Sequence, residues 1–316
     1  MQSKVQNGKT RGTSWAAILR KDLRANGGAY LIAIPVIVYF ILFAYKPLFG
    51  AIIAFKDFNR RRGIWGSPWV GFEHFADFFS SVYFGRTMRN TLTISIANLV
   101  FGFPLPIILA LLINEIRNKK YKRVVQTISY MPYFISTVVV CSMIILFTDE
   151  KAFVADMVGW FGMDVSGNLL NYEKAFLPIY TVSTIWQTTG WNSIIYLAAL
   201  SSIDMELYEA ARIDGANRWK QTLHVTIPGI STTIILLLIL AVGNMMNVGY
   251  EKVILLYNDL NRNSADVISS YVYRRGIEQA DFSFGTAVGL FNSAINFAFV
   301  VAANRISHKI TGAGLW

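Results

Sequence analysis

The sequence predicts an all-α integral membrane protein with six transmembrane helices, and two features of its 316 residues lead to this prediction. Hydrophobic residues make up 54% of the chain and charged residues only 15%, whereas soluble domains contain about 25% charged residues. Six stretches contain no Asp, Glu, Lys or Arg: 25–45, 90–114, 124–148, 175–203, 225–250 and 282–304. The shortest has 21 residues, and about 20 apolar residues span a bilayer as an α-helix.

The six stretches differ in length, proline content and polarity. The first is too long for the apolar region of a signal peptide and has no convincing cleavage site, so we expect an uncleaved anchor. Pro104 and Pro106 in the second and Pro132 in the third predict kinks. The fourth is the most polar, while residues 234–240 of the fifth are apolar all round, as a helix in lipid requires. The expected organisation is a cytoplasmic segment 1–24, a six-helix transmembrane domain 25–305 and a cytoplasmic tail 306–316.

The distribution of basic residues predicts the orientation. With the N-terminus inside, the inside segments 1–24, 115–123, 204–224 and 305–316 carry 16 Lys or Arg and 6 acidic residues. The outside segments carry 13 of each sign. An excess of Lys and Arg in short loops marks the cytoplasmic side. We therefore expect both termini in the cytoplasm, although three arginines at 60–62 lie in the first outside loop and oppose this assignment.

Several function classes are excluded. The chain has one cysteine and three scattered histidines without metal-ligand spacing, which argues against a disulfide framework or a metal site. The net charge of +10 lacks the aromatic-interleaved basic patch of a nucleic-acid-binding surface. Gly8-Lys9-Thr10 resembles the end of a phosphate-binding loop, but Ser3 occupies the position of its first glycine. We expect no catalytic residue, no metal and no cofactor bound by this chain.

Amides and tryptophans within the predicted helices suggest a polar path. Such groups in hydrocarbon are costly unless they face protein or a water-filled cavity. Asn244 and Asn247 are three apart and Asn292 and Asn296 four apart, spacings that place each pair on one helix face. The full set of candidates is Gln187, Trp191, Asn192, Asn244, Asn247, Asn292 and Asn296, with Tyr250 and Glu251 near the outer mouth. They form either a path for an uncharged, hydroxyl-rich solute or interhelical hydrogen bonds.

The predicted helix cores lack ionisable residues. Ion-coupled transporters usually need such groups within the membrane, so a secondary transporter of a polar neutral solute is the less favoured alternative. A membrane-embedded enzyme acting on glycans is disfavoured because no catalytic constellation is recognisable. An energy source outside the membrane is expected instead.

The inside segment 204–228 predicts a short amphipathic helix followed by a turn and a second helical stretch. Asp204 is placed to cap the first helix, and acidic residues follow in its first turns. Gly215 permits the turn that ends this helix, and the second stretch leads to Pro228. Small residues Ala210 and Ala211 would let the first helix approach a groove on another protein closely.

This segment resembles the EAA motif of importer permeases in the ATP-binding-cassette (ABC) family. That motif reads Glu-Ala-Ala, three residues, Gly, nine residues, then Ile-x-Leu-Pro. Glu209, Ala210, Ala211, Gly215 and Pro228 match at this spacing, while Val225 and Ile227 replace the usual Ile and Leu. The resemblance implies coupling to an ATPase, for which the candidates are Glu209, Ala210, Ala211, Arg212, Asp214, Gly215 and Pro228. Glu209 would pair with Arg212 or with a basic residue of the ATPase.

Further segments are similar to the LplB-type branch of sugar importer permeases. They are 53–59, 65–72, 196–200, 206–211 and the terminal Gly-Leu-Trp. The resemblance implies a MalF/MetI-like permease fold that alternates access to a central cavity in a bacterial cytoplasmic membrane. It also implies four kinds of partner: a second, homologous permease, two ATPase subunits that bind ATP and Mg²⁺, an extracytoplasmic solute-binding protein and a complex oligosaccharide as substrate.

Overall fold

The computed structural model describes residues 21–150, 152, 154, 157, 159 and 167–316. Most of the expected N-terminal segment, residues 1–20, lies outside this part. Within the described residues the regular elements are helices, with one isolated antiparallel bridge between Lys56 and Trp69. The chain divides into two units, Met1–Ile53 and Ala54–Trp316.

The first unit holds most of α1, a helical run over Gly27–Phe55. It begins as the α-helix Gly27–Tyr39 and changes to a π-helix at Phe40–Tyr45. At 29 residues it is long and apolar enough to cross a membrane, as expected of an anchor.

The second unit holds the other helices whose bounds lie within the described residues. They are α2 (Glu73–Ser80), α3 (Phe84–Asn114), α4 (Lys119–Phe134), α5 (Thr137–Phe147), α6 (Glu173–Ser201), α7 (Met205–Ile213), α8 (Arg218–Gly229), α9 (Ser231–Gly243), α10 (Tyr250–Leu256), α11 (Ile268–Val272) and α12 (Phe282–Thr311). Gly63–Gly66 and Arg262–Ala265 form single helical turns, and Tyr273–Glu278 continues α11 as a π-helix.

Among the described residues, α1, α3 and α12 are each long and apolar enough to span a bilayer. Two bent pairs, α4 with α5 and α8 with α9, bring the number of spans to five if each pair counts as one. Helix α6 contains residues 175–201 of the fourth charge-free stretch and is 29 residues long. Its polar residues keep it outside that apolar set, so it matches the fourth predicted span by length but not by hydropathy.

Two predicted spans are broken helices. The third stretch bends by 95° between α4 and α5, just after a 3₁₀ turn at Met131–Phe134 that contains Pro132. Ser136 then caps α5 by accepting a hydrogen bond from the Val139 amide at 3.4 Å.

The second stretch, in contrast, lies within one helix, α3, which has a π-helical turn at Asn98–Gly102 before Pro104.

The prediction of one continuous helix over 225–250 was wrong. This stretch bends by 60° between α8 and α9, and α9 ends at Gly243. Asn244 and Asn247 therefore lie in a turn between α9 and α10, and not on one helix face as their spacing suggested.

Among the described residues, three buried clusters hold the second unit together. One joins α6 and α10 through Phe176, Tyr180 and Val253. Another joins α2 and α12 through Phe78 and Phe284. The third joins α3, α6 and the α8–α9 junction through Ala110, Tyr196, Leu200 and Ile230. The first and third clusters contain residues of α6, the helix that lines the polar cavity described below.

Candidate functional site

Helix α7 is a short helix with caps at both ends. The Asp204 side chain accepts a hydrogen bond from the Glu206 amide at 3.0 Å, which satisfies one of the free N–H groups of the first turn. At the other end Gly215 has φ +75°. The Gly215 amide donates to the Arg212 carbonyl at 3.0 Å, and the Ala216 amide donates to the Ala211 carbonyl at 2.9 Å.

This pair of bonds is the Schellman arrangement, in which a left-handed glycine reverses the chain after a helix. The sequence-based expectation of a turn at Gly215 is therefore met. Asn217 then caps α8 by accepting a hydrogen bond from the Lys220 amide at 2.9 Å. The two helices and their turn form a defined helix–turn–helix segment over 204–228, which we call the coupling segment.

One side-chain contact holds the two helices of the coupling segment together, and a second attaches the segment to α3. The hydroxyls of Tyr208 on α7 and Thr226 on α8 lie 3.0 Å apart in a hydrogen bond. Arg218 Nη1 lies 2.7 Å from Glu115 Oε2, at the end of α3. Pro228 lies in the last turn of α8, beside the bend into α9. A displacement of α7 would thus be carried to α8 and the bend.

The motif residues of α7 lie on an accessible surface. Glu209, Ala210, Arg212 and Asp214 are exposed and Ala211 is half-buried. Glu209 makes no ion pair with any described residue, so the suggested local pairing with Arg212 is not formed. The exposed apolar side chains Leu207, Ile213 and Trp219 flank these residues. A surface of this kind on a capped helix is suited to docking against another protein.

A polar cavity of about 390 Å³ lies between α3, α6 and the turn after α9. Asn192, Asn244 and Asn247 of the predicted path all line it. They are joined there by the hydroxyls Ser95, Thr184 and Thr188, by Asn98, and by the ring of Tyr180. The cavity therefore combines amide and hydroxyl groups with an aromatic face.

Three asparagines form a chain of hydrogen bonds beside this cavity. Asn296 on α12 donates to Asn247 Oδ1, and Asn247 donates to Asn244 Oδ1, both at 3.2 Å. Asn296 Oδ1 accepts from the Met246 amide at 3.1 Å. These bonds satisfy backbone and side-chain groups of the turn that follows α9, and they tie that turn to α12.

Helix α6 presents polar residues on two faces. Thr184, Thr188 and Asn192, at four-residue spacing, line the polar cavity. Gln187 and Trp191, also four apart, contact the bend between α4 and α5. Gln187 donates to the Ile135 carbonyl at 3.1 Å, and Trp191 stacks on Tyr133 with ring centroids 4.7 Å apart.

The remaining candidates lie apart from the cavity lining. Tyr250 stacks on Tyr273 with centroids 5.1 Å apart, and Glu251 is exposed at the start of α10. Asn292 on α12 has a buried Oδ1 without a hydrogen-bond partner among the described residues. The structure therefore gathers three of the nine path candidates in one cavity and links Asn296 to them.

Sequence reasoning missed the contributions of α3 and of Lys252. Ser95 and Asn98 lie in the second charge-free stretch, and polar side chains in an apolar stretch were the signal that could have identified them as cavity residues. Lys252, two residues beyond the fifth stretch, is buried and donates to Thr184 Oγ1 at 2.9 Å. Its ammonium also lies 5.1 Å from the centre of the Tyr180 ring. A buried cation thus stands directly behind two residues of the cavity wall.

The sequence matches the family described as "Binding-protein-dependent transport system inner membrane component" over residues 102–312. It is 43% identical over 310 residues to protein LplB of Bacillus subtilis (strain 168), covering 97% of this chain and 95% of that protein. It is 42% identical over 288 residues to the polygalacturonan/rhamnogalacturonan transport system permease protein YteP of the same strain, covering 91% and 89%.

A solved structure is similar over nearly the whole chain. It is that of a bacterial alginate ABC transporter in complex with an alginate pentasaccharide-bound periplasmic protein. The TM-score is 0.83 at 41% identity, covering 94% of this chain and 99% of that chain. Helical architecture, apolar spans, motif spacing and these likenesses agree that the chain is a permease subunit of the plasma membrane and not itself an enzyme. It belongs to the family of binding-protein-dependent transport system inner membrane components, with the MetI-like permease fold.

Proposed function

We propose that this chain is one permease subunit of an ATP-driven importer of complex oligosaccharides. The observation that carries this proposal is the exposed, doubly capped helix α7, which bears Glu209, Ala210 and Ala211 and is bonded through Tyr208 to α8. The relatives support the substrate class, because one is named for polygalacturonan and rhamnogalacturonan transport and another was solved with an alginate pentasaccharide.

Coupling runs through the coupling segment. An ATPase subunit receives α7 in a cleft, and its closure on ATP displaces the helix. The Tyr208–Thr226 hydrogen bond and the Arg218–Glu115 ion pair transmit this displacement to α8 and α3. The bend at the start of α9 then opens or closes the helices around the polar cavity. ATP and Mg²⁺ stay on the two ATPase subunits, and this chain contributes the moving surface.

The basic loops set the arrangement in the membrane. Both termini, the 115–123 loop and the coupling segment lie in the cytoplasm, where the ATPases are. The segments 56–88 and 251–281 lie outside and face a solute-binding protein. A second, homologous permease completes the pathway on the open side of the polar cavity, and sugar hydroxyls bond to its amides and hydroxyls.

Reconstitution tests this proposal. The chain is assembled in liposomes with its second permease, its ATPases and its binding protein, and uptake of a labelled oligogalacturonate is measured. Uptake should require ATP on the side of the membrane that carries the ATPase subunits. It should persist when ionophores abolish proton and sodium gradients. Uptake that needs no ATP but stops with the ionophores would contradict the proposal and favour a secondary transporter.

A further inference from the structure

Lys252 on α10 is a buried lysine beside the polar cavity. It is 7% exposed and forms no ion pair with any residue that the structure describes. A buried charge without a counter-charge is costly. Its surroundings must therefore stabilise the ammonium in another way.

Two groups of α6 provide this stabilisation. The Nζ atom of Lys252 donates to Thr184 Oγ1 at 2.9 Å. It also lies 5.1 Å from the centre of the Tyr180 ring, whose face attracts a cation. Thr184 and Tyr180 both line the polar cavity, so the positive charge lies one side chain behind the cavity wall.

The hydroxyl groups of this wall donate their protons to backbone carbonyls. Thr184 donates to the Tyr180 carbonyl at 2.7 Å, and Thr188 donates to the Thr184 carbonyl at 2.8 Å. Ser95 donates to the Met245 carbonyl. Their oxygens can then only accept further hydrogen bonds, for example from sugar hydroxyls. Oxygens of this kind are also the ligands that small, hard cations prefer.

Lys252 supplies a positive charge that the cavity lining lacks. No Asp, Glu, Lys or Arg is among the described residues that line the cavity. A cation bound to Thr184 Oγ1 would lie at most about 5 Å from the Lys252 ammonium, given the oxygen–cation distances of such ions. Repulsion at that distance lowers the occupancy of the site by roughly a hundredfold at an effective dielectric constant of about 20. An uncharged sugar hydroxyl experiences no such repulsion.

We propose that Lys252 is a specificity-determining residue that keeps Na⁺ and other small cations out of the polar cavity while sugar passes. This inference rests on the proposed function. A path wide enough for an oligosaccharide cannot exclude cations by its diameter, whereas a fixed positive group excludes them by charge. Because the proposed importer is driven by ATP, a cation flow through its path would only dissipate ion gradients.

Sodium flux in proteoliposomes tests this role. The complex is reconstituted with both permeases, the ATPases and the binding protein, and Na⁺ and Cl⁻ fluxes are measured during ATP-driven uptake of the labelled oligogalacturonate. Wild type should pass little Na⁺. K252M keeps a long side chain without the charge and should raise Na⁺ flux about tenfold or more, without an equal rise in Cl⁻ flux. K252R keeps the charge and should stay close to wild type, and K252Q serves if K252M does not assemble.

Two control variants separate the charge of Lys252 from its packing. T184V removes the acceptor of the Lys252 hydrogen bond and keeps the ammonium, so its Na⁺ flux should stay low. K56M removes another buried lysine, which is 8% exposed and donates to the Ile64 carbonyl at 2.9 Å. Its Na⁺ flux should also stay low, because the structure does not place Lys56 at the polar cavity.

Three results would overturn the inference. Unchanged Na⁺ flux in K252M would mean that the charge is no barrier. Equal rises in Na⁺ and Cl⁻ flux would mean that the variant widens the path. Equal Na⁺ fluxes in K252M and T184V would mean that the Lys252–Thr184 hydrogen bond, and not the charge, closes the path to cations. ATP-driven sugar uptake by wild type in any of these cases would leave the proposed function standing.

Discussion

Tyr208 on α7 and Thr226 on α8 join their side-chain oxygens in a hydrogen bond of 3.0 Å. Thr226 is buried and Tyr208 is half-buried, so this bond is shielded while the rest of α7 remains exposed. It links the helix that we propose to dock on the ATPase with the helix that enters the membrane at the 60° bend.

Tyr208→Phe removes this bond and keeps the ring. A hydrogen bond of this kind contributes about 1 kcal/mol net, so we expect transport per ATP hydrolysed to fall by roughly threefold to tenfold. Assembly with the ATPase should be preserved. Tyr121→Phe, on the exposed surface of α4, is the matched control and should transport normally. Unchanged coupling in Tyr208→Phe would show that the displacement reaches α8 by another route.

The packing of α6 on α4 predicts a position where no side chain fits. A Cβ at Gly190 would lie 1.8 Å from the Ser129 carbonyl oxygen, a distance that backbone atoms cannot relieve without moving the helices apart. Gly190→Ala should therefore lower the melting temperature of the purified complex strongly or prevent its assembly. Gly289→Ala, in α12 with nothing within 4 Å of its Cβ, should be neutral. Similar melting curves for the two variants would contradict the α4–α6 packing.

The two polar faces of α6 predict different mutant behaviour. Asn192→Ala removes an amide from the polar cavity, and we expect roughly a threefold to tenfold loss of uptake with normal assembly. Gln187→Ala and Trp191→Ala remove contacts with the α4–α5 bend, so we expect lower thermal stability along with lower uptake. Ser201→Ala, at the exposed end of the same helix, serves as the control. Normal uptake in Asn192→Ala would mean that the asparagines serve helix packing alone.

The proposed orientation predicts which positions an impermeant thiol reagent reaches in intact cells. In a background where the buried Cys141 is replaced by Ala, Lys119→Cys should be protected and the highly exposed Asp259→Cys should react. Permeabilised cells should label both. Labelling of position 119 and protection of position 259 in intact cells would reverse the orientation and place the coupling segment on the wrong side for an ATPase.

Periodicity, charge and motif spacing predicted much of the fold and the turn at Gly215. The lengths of the charge-free stretches identified the spans, because ionised groups are costly in lipid and are therefore excluded from a continuous stretch of the sequence. The same criterion failed over 225–250, where the chain forms a turn that contains Asn244 and Asn247. Hydrogen bonds to Asn296 on α12 satisfy polar groups of this turn. Only tertiary structure brings that helix near.

The polar cavity could be predicted only in part, because tertiary structure brings its walls together. Asn192 was recognisable as an amide in an apolar stretch. Ser95 and Asn98 line the cavity because α3 packs against α6, and no local sequence pattern indicates that packing. The hydrogen bond between Lys252 and Thr184 joins residues 68 positions apart in sequence and could not be read from spacing.

Two glycines allow a matched test of whether the coupling segment docks the ATPase. Gly215 and Gly312 both follow a helix, with φ of +75° and +70°, and a Cβ at either position would meet no other atom within 4 Å. Asp at either position therefore carries a similar local backbone cost, roughly 1 kcal/mol, and the same added charge.

The decisive measurement is the amount of ATPase that co-purifies with each tagged permease variant, together with its sugar-stimulated hydrolysis. Gly312→Asp should retain both. Gly215→Asp should remain in the membrane with its second permease but lose the ATPase or the stimulation, and Ala211→Leu should behave in the same way. Full ATPase retention and full stimulation in Gly215→Asp and Ala211→Leu would contradict the claim that this segment couples hydrolysis to transport.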